Sequence, residues 1–311
     1  DPNRIPLLEI DLNILDTPRL RTFAEARLGA PLSIELLQLL QRTTNGNPFY
    51  LEQVLEYFTE SQLLKKEEGK WTIIDANIKV SGSINAVLMA RIDRLSTLVK
   101  ETVKAAAVIG REFDLPILTE IMKGNKEFSK YNGNSATVLR EQIQSAEKVQ
   151  IWLAMNELRY IFRHSLLREA VYSMQMGARL RELHGLIAEA IERLYANNLP
   201  EKYVDLAFHY EQAQRGEKTR EYLEKAAHHA QENFQNSAAL QFYQKLIPRI
   251  HDPAERARII LQQAKVLELI GEWEACEASL QKALQLAQKI EDQLLNGRAY
   301  NRIGRLSMLR G

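Results

Sequence analysis

From about Arg179 onward the chain falls into helical pieces of roughly 12 to 15 residues, joined in pairs by short turns, and this texture constrains its fold more than anything else in the sequence. A helical hairpin has an apolar face that it cannot cover alone, so neighbouring hairpins have to stack, and the expected architecture is a solenoid. At 311 residues the chain has room for two or three domains, and with 45% hydrophobic residues core material is not limiting. The 41 Lys plus Arg stand against 40 Asp plus Glu, a balance that gives no global attraction to nucleic acid or to an anionic membrane. Cys276 is the single cysteine, so neither a secreted disulfide scaffold nor a zinc domain is indicated and a reducing cytoplasm is the expected setting. The opening DPNRIPLLEIDLNIL lacks a secretory pattern, and no stretch reaches the ~18 apolar residues of a membrane span. The missing initial Met and the stop at MLRG inside a helical pattern read as a piece cut from a longer protein.

Three regions are expected: a helical block at 1–64, a mixed region at 65–178 and helical repeats at 179–311. In the first, Ser33 starts a helix whose face is Leu36, Leu37, Leu39 and Leu40. Asn45, Gly46, Asn47 and Pro48 then interrupt the chain before a helix over FYLEQVLEYFTESQLL. In the second, Trp71, Ile73 and Ile74 form one edge of a hairpin after the turn EEGK, and Ser83 begins the helix INAVLMARIDRL. Two more helices are joined across 110–114, KGNKEFSKYNGNS at 123–135 reads as a loop, a helix covers about 136–150, and LRYIFRH alternates like a strand before a helix from Ser165. In the third, Ala264, Leu267, Gly271, Cys276, Leu280 and Ala283 sit at the offsets of a tetratricopeptide (TPR) unit. Ala207, Tyr210, Thr219, Leu223 and Ala226 echo those offsets, a shorter unit lies near 230–246, and Tyr300, Gly304 and Leu306 look like the first helix of a further unit.

Two motifs carry a family resemblance. TNGNPFYLEQVL at 44–55 resembles the GxP segment in the lid of the STAND signalling ATPases, the class that includes NB-ARC proteins and the ATPase regions attached to nucleotide cyclases and kinases. FRHSLLREAVY at 162–172 resembles the stretch that closes the winged helix in the cyclase-linked members, and SINAVLMARIDRLS with KAAAVIGREFDLPIL is similar to the entry of that winged helix. The resemblance covers about 1–175. It implies a mainly α chain made of a helical lid, a winged helix and a TPR-like α-solenoid. It further implies that Gly46, Asn47 and Pro48 lie beside the adenine of ATP or ADP, and that His164, with Arg163, meets the nucleotide's phosphate. Ser165 stands where NB-ARC relatives carry an acidic residue. The phosphate-binding loop would belong to a domain before residue 1 of the same chain; within the sequence, Gly69-Lys70-Trp71 and Gly216-Glu217-Lys218-Thr219 both fail its pattern.

Each assignment has a plainer counterpart. Gly46 to Pro48 on spacing alone is a helix–helix turn, His164 alone is a residue capping a strand-to-helix junction, and Arg163 alone is a surface charge or a partner of Glu169. The adjacent His228 and His229, with His209 and His251, have no ligand-set spacing, so no metal is expected. The helix KETVKAAAVIGREF mixes Lys100, Lys104 and Arg111 with Glu101 and Glu112 and has an alanine face suited to packing, which argues against a DNA-reading helix. The expectation is therefore a non-enzymatic regulatory and sensor piece of a signal-transduction ATPase. It would hold no tightly bound cofactor of its own and would bind a protein or peptide through its repeats. A winged-helix transcriptional regulator and a non-switching TPR scaffold are the alternatives.

Overall fold

Local capping chemistry sets the first three helices. Helix α1 (Thr17–Leu28) starts at Asp16, whose carboxylate accepts from the Arg19 amide, and ends at Gly29 in the left-handed region. Ser33 caps α2 (Ile34–Thr44) by accepting from the Leu36 amide, and Asn47 caps α3 (Pro48–Glu60) by accepting from the Tyr50 amide. Each such cap satisfies an amide that the helix itself leaves open and is worth about 1 kcal/mol. The computed structural model describes residues 14–75, 84–125, 128 and 135–310. Ser83 and most of the 123–135 segment lie outside them.

The described residues form a mainly α protein that ends in a TPR-like helical solenoid, with few and short strands. After α3 come the strands β1 (Leu64–Glu67) and β2 (Lys70–Ile73), an antiparallel hairpin in which Leu64 faces Ile73 and Glu67 faces Lys70. Helices α4 (Ile84–Asp93) and α5 (Thr97–Ile109) follow, then β3 (Glu112–Asp114), α6 (Leu115–Lys123), α7 (Ser135–Lys148), β4 (Trp152–Ala154), β5 (Arg159–Phe162) and α8 (Ser165–Ser173). Strands β3, β5 and β4 make a three-stranded sheet in that order, with β3 antiparallel to β5. The repeat helices are α9 (Gly177–Leu194), α10 (Tyr203–Gln212), α11 (Gly216–Glu232), α12 (Asn236–Leu246), α13 (Pro253–Leu269), α14 (Trp273–Lys289) and α15 (Gln293–Arg310).

Three local expectations need correcting. The helix from Pro48 stops at Glu60 instead of running to Leu64, because Gln62 takes a left-handed backbone and Leu64 already belongs to β1. Ile74 lies past the end of β2 and is exposed. The connection 110–114 holds β3, and β4 is a strand that sequence alternation did not reveal.

The chain divides into two compact units. One comprises Asp1–Ala107, Gln142–Leu153 and Phe162–Met174; the other comprises Val108–Glu141, Ala154–Ile161 and Gln175–Gly311. In the first, Leu20, Leu36, Leu40, Leu51, Val54 and Phe58 form a fully buried core. The hairpin is fastened to it through Trp71, whose amide donates to the Pro31 carbonyl, whose carbonyl accepts from the Ser33 amide, and whose indole NH donates to the Leu28 carbonyl. In the second, sequential helices of the array pack against each other around Ala257, Ile260, Ala264, Cys276, Leu280 and Ala283. Four of the repeat turns use one geometry. Gln214, Phe234, Gly271 and Glu291 each sit in the left-handed region, and the amides of Arg215, Gln235, Glu272 and Asp292 bond back to the carbonyls of Tyr210, Ala230, Leu267 and Ala287. That is the Schellman closure, which ends one helix and fixes the direction of the next.

Gly46 combines a φ of +76° with a close approach: a Cβ there would lie 2.3 Å from the Leu15 carbonyl oxygen. Gly29 has a φ of +71° and open space around it. Gly46→Ala should therefore cost about 1–3 kcal/mol, and Gly29→Ala about 1 kcal/mol, in urea denaturation. Equal costs at the two positions would show that backbone strain alone, and not the contact with Leu15, makes Gly46 necessary.

Candidate functional site

Helix α3 carries Glu52, Glu56 and Glu60 at successive four-residue steps, so all three carboxylates share one face. Three arginines from distant segments of the same unit meet that face. Arg27 of α1 lies 3.2 Å from Glu52 and 2.8 Å from Glu56. Arg91 of α4 reaches Glu56 at 2.6 Å and grips Glu60 with two nitrogens, at 2.7 and 3.1 Å. Its guanidinium also donates to the Gln53 side chain and, at 3.0 Å, to the Val149 carbonyl. Arg163, just after β5, donates to Glu52 at 3.0 Å and to Gln150.

Burial raises the stakes of this ladder. The Arg91 side chain is 1% exposed and Glu56 12% exposed. A guanidinium taken out of water is tolerable only when its donors are matched, and here the Glu60 carboxylate, an amide oxygen and a main-chain carbonyl accept from it, while Glu56 adds an opposite charge without a hydrogen bond.

The sequence-predicted residues gather around the top of the ladder. Gly46 is the buried left-handed link between α2 and α3, and its carbonyl accepts from the Leu15 amide at 2.7 Å. Asn47 is the α3 N-cap, and Pro48 is the first residue of that helix, where a missing amide costs nothing. Pro48 is exposed, while the next residue, Phe49, puts its ring 4.5 Å from the imidazole of His164. The His164 Nε2 lies 3.4 Å from a Glu52 oxygen and makes no hydrogen bond. Helix α3 thus joins the two motifs, through Phe49 and Glu52.

Two of the plainer readings are overturned. His164 occupies the N-cap position of α8, but its side chain caps no amide and points instead to Phe49 and Glu52. Arg163 pairs with Glu52 and Gln150, not with Glu169, because its position at the strand end aims it at α3. Arg27, Arg91 and the carboxylate series carry no sequence signal of a role in this site. The Glu spacing was visible in LEQVLEYFTE, but nothing local to Arg27 or Arg91 announced that they would meet it.

Among the other histidines, His184 and His209 are buried and joined through their Nδ1 atoms at 2.8 Å. His228 packs edge-on against Tyr243 and His229 against Tyr203, as adjacent residues on different helix faces should. Among the described residues no cluster of three or more His, Cys, Asp or Glu has metal-holding geometry, and no helix is long and apolar enough to cross a membrane.

No family model matches the chain. It is 23% identical over 197 residues to an uncharacterized protein of Rhizobium meliloti (strain 1021), a match that spans 62% of this chain and 18% of that protein. Among solved structures it is similar to the Signal Transduction ATPase with Numerous Domains (STAND) protein with a tetratricopeptide repeat sensor from Pyrococcus horikoshii. That similarity has a TM-score of 0.33 and 13% sequence identity, and covers 95% of this chain and 57% of that chain. The chain spans less than a fifth of the first relative and little more than half of the second.

Burial pushes the His164 imidazole below its ordinary pKa; Glu52 pulls the other way, and Arg163, Arg91 and Arg27 add to the lowering. The unfolded chain then binds the proton more readily than the folded one, so stability is fully present above about pH 6.5 and declines as pH falls from there toward the folded pKa. Chemical denaturation at pH 7.5 and at pH 5.5 should show this loss in wild type and a smaller loss in His164→Gln; an identical loss in both would remove His164 from the account. Arg91→Ala strands Glu56 and Glu60 and should cost about 3–5 kcal/mol, against under about 1 kcal/mol for Arg19→Ala, whose ion pair with Asp16 is exposed.

Proposed function

We propose that this chain is the regulatory arm of a nucleotide-gated signalling ATPase of the STAND class. In this reading 1–64 is the lid, 65–178 a winged helix and 179–311 a TPR-like sensor, in a cytoplasmic protein whose phosphate-binding loop lies in another domain. The observation that carries it is the joining of the two motif segments by one helix: α3 begins at Pro48, and its Phe49 and Glu52 contact His164 while Glu52 also holds Arg163. A turn and a capping histidine of merely structural purpose have no need to meet.

The residues present fit one wall of an ADP site. Pro48 offers exposed apolar surface, and His164, 22% exposed on its side chain but with Nε2 buried toward Glu52, carries an imidazole that burial keeps in its neutral form near pH 7. A bound nucleotide would supply phosphate charge, and charge of that sign favours the protonated imidazole. Arg163 is already matched by Glu52, so its part is to hold the carboxylate in place beside the imidazole. The ladder then carries the state of His164 along α3 to Arg27 and Arg91. Binding of a partner to the repeats that favours the open arrangement would shift the population away from the nucleotide-clamped one.

The DNA-binding alternative is weaker on specific grounds. Lys100 is paired with Asp93 and Lys104 with Glu101, and Ala105, Ala106 and Ala107 of α5 are buried in packing. A helix read against DNA needs those cations and that face free.

The test is ADP retention in the longer protein that contains this segment. His164→Ala should speed release of fluorescent ADP by on the order of tenfold, the usual scale of a lost charge-sensitive contact. Release at the wild-type rate would leave a scaffold without nucleotide coupling as the better reading.

A further inference from the structure

Helices α13 and α15 pack on each other, and each turns one polar stripe into the cleft between them. From α13 come Arg258, Gln262 and Lys265, at steps of four and three residues; from α15 come Arg298, Asn301, Arg302 and Arg305. The cleft measures about 440 Å³, and nearly buried Leu261 lies at its floor. Five cations and no carboxylate line it. The two carboxylates that answer them are Glu268, shared by Arg302 at 3.3 Å and Arg305 at 2.8 Å, and Glu224, 3.5 Å from Arg258. Lys265 and Arg298 have no ion-pair partner among the described residues. Burial, then the proximity of Arg302 and Arg298, lowers the Lys265 pKa, so the cluster works against its own charge. A chain with almost equal numbers of acids and bases has concentrated an excess of positive charge in one groove of its repeat array.

We propose that this groove binds an acidic linear peptide segment of a protein partner, with Lys265 and Arg298 receiving its carboxylates. The proposal rests on the reading that the repeats bind a protein partner, and specifies that partner's chemistry. Carboxylates at two positions of an extended segment would find the unpaired cations, and charge-assisted bonds to them are stronger than neutral ones. The side-chain amides of Gln262 and Asn301 each supply a donor and an acceptor, which suits the alternating main-chain groups of a peptide. Nucleic acid fits less well. It neutralises phosphates along a continuous basic track, whereas here the excess is confined to two cations, with Arg258, Arg302 and Arg305 already answered and Arg310 paired with Glu277.

The experiment is selection of a phage-displayed random dodecapeptide library on the 311-residue chain. The selected peptides are then resynthesised with a fluorescent label and titrated onto wild type, Lys265→Glu/Arg298→Glu and Lys70→Glu/Arg42→Glu. The last pair makes the same charge change at exposed residues of the other compact unit, and circular dichroism checks that all three proteins are folded. The expected result is enrichment of Asp- and Glu-rich peptides whose affinity falls with salt, falls on the order of tenfold or more in the groove variant, and is unchanged in the control variant. Enrichment of peptides without acidic residues would overturn this inference and keep the reading that the array binds a protein. No enrichment at all would count against both. A single-stranded 12-nucleotide DNA that binds more tightly than the selected peptides, and loses affinity in the same variant, would make the groove a nucleic-acid site and overturn the proposal.

Discussion

The buried guanidinium of Arg91 is the contact on which the first unit most depends. It donates to Glu60, Gln53 and the Val149 carbonyl and pairs its charge with Glu56, and so binds α3 and α4 to the start of the segment that follows α7. A charge this deep is tolerable only with that full set of partners, and each partner is costly if the charge is removed. The arrangement is therefore specific in a way an apolar contact is not: α3 can occupy one rotation and one axial position, those that bring its three carboxylates to the three arginines. Fixing α3 in turn fixes Phe49 and Glu52, the two side chains that touch His164.

The second unit is ordered by repetition instead of by one charge. The same left-handed closure recurs at Gln214, Phe234, Gly271 and Glu291, and three of these four residues are not glycine. The turn is thus set by the Schellman bonds and the packing of the paired helices more than by residue preference. Repetition also explains the basic groove. Helices two apart in the array present equivalent faces to the same cleft, so charges placed at helical spacing on each add up without any being close in sequence.

Much of this was legible in the sequence, and the parts that were not share a cause. Ser33, Asn47 and Pro48 mark helix starts because capping chemistry is local, and Ala264, Leu267, Cys276, Leu280 and Ala283 read as repeat core because small and large residues at helical offsets have one packing solution. The end of α3 was overrun, since SQLL continues an apolar pattern that only the pairing of Leu64 with Ile73 interrupts. Strand β4, at Trp152 to Ala154, is three residues long and owes its existence to β5. The candidate site was half visible. His164 and the Gly46–Pro48 junction stood out through a family resemblance, but the ladder that connects them is built from Arg27, Arg91 and Arg163, residues whose meeting is a tertiary event. Lys265 and Arg298 were equally ordinary members of amphipathic helices until the array placed them side by side.

Helix α3 and His164 form one electrostatic unit. That coupling is tested most directly by an NMR titration of the His164 ring in wild type and in Glu52→Gln. Glu52 raises the imidazole pKa, while burial and the three arginines lower it. Removing the carboxylate both deletes its pull and leaves Arg163 without its ion pair, so that its charge acts more strongly on the ring. His164 should titrate below an ordinary histidine in wild type and lower still in Glu52→Gln. A titration at the ordinary value, or one that Glu52→Gln leaves unmoved, would contradict the coupling.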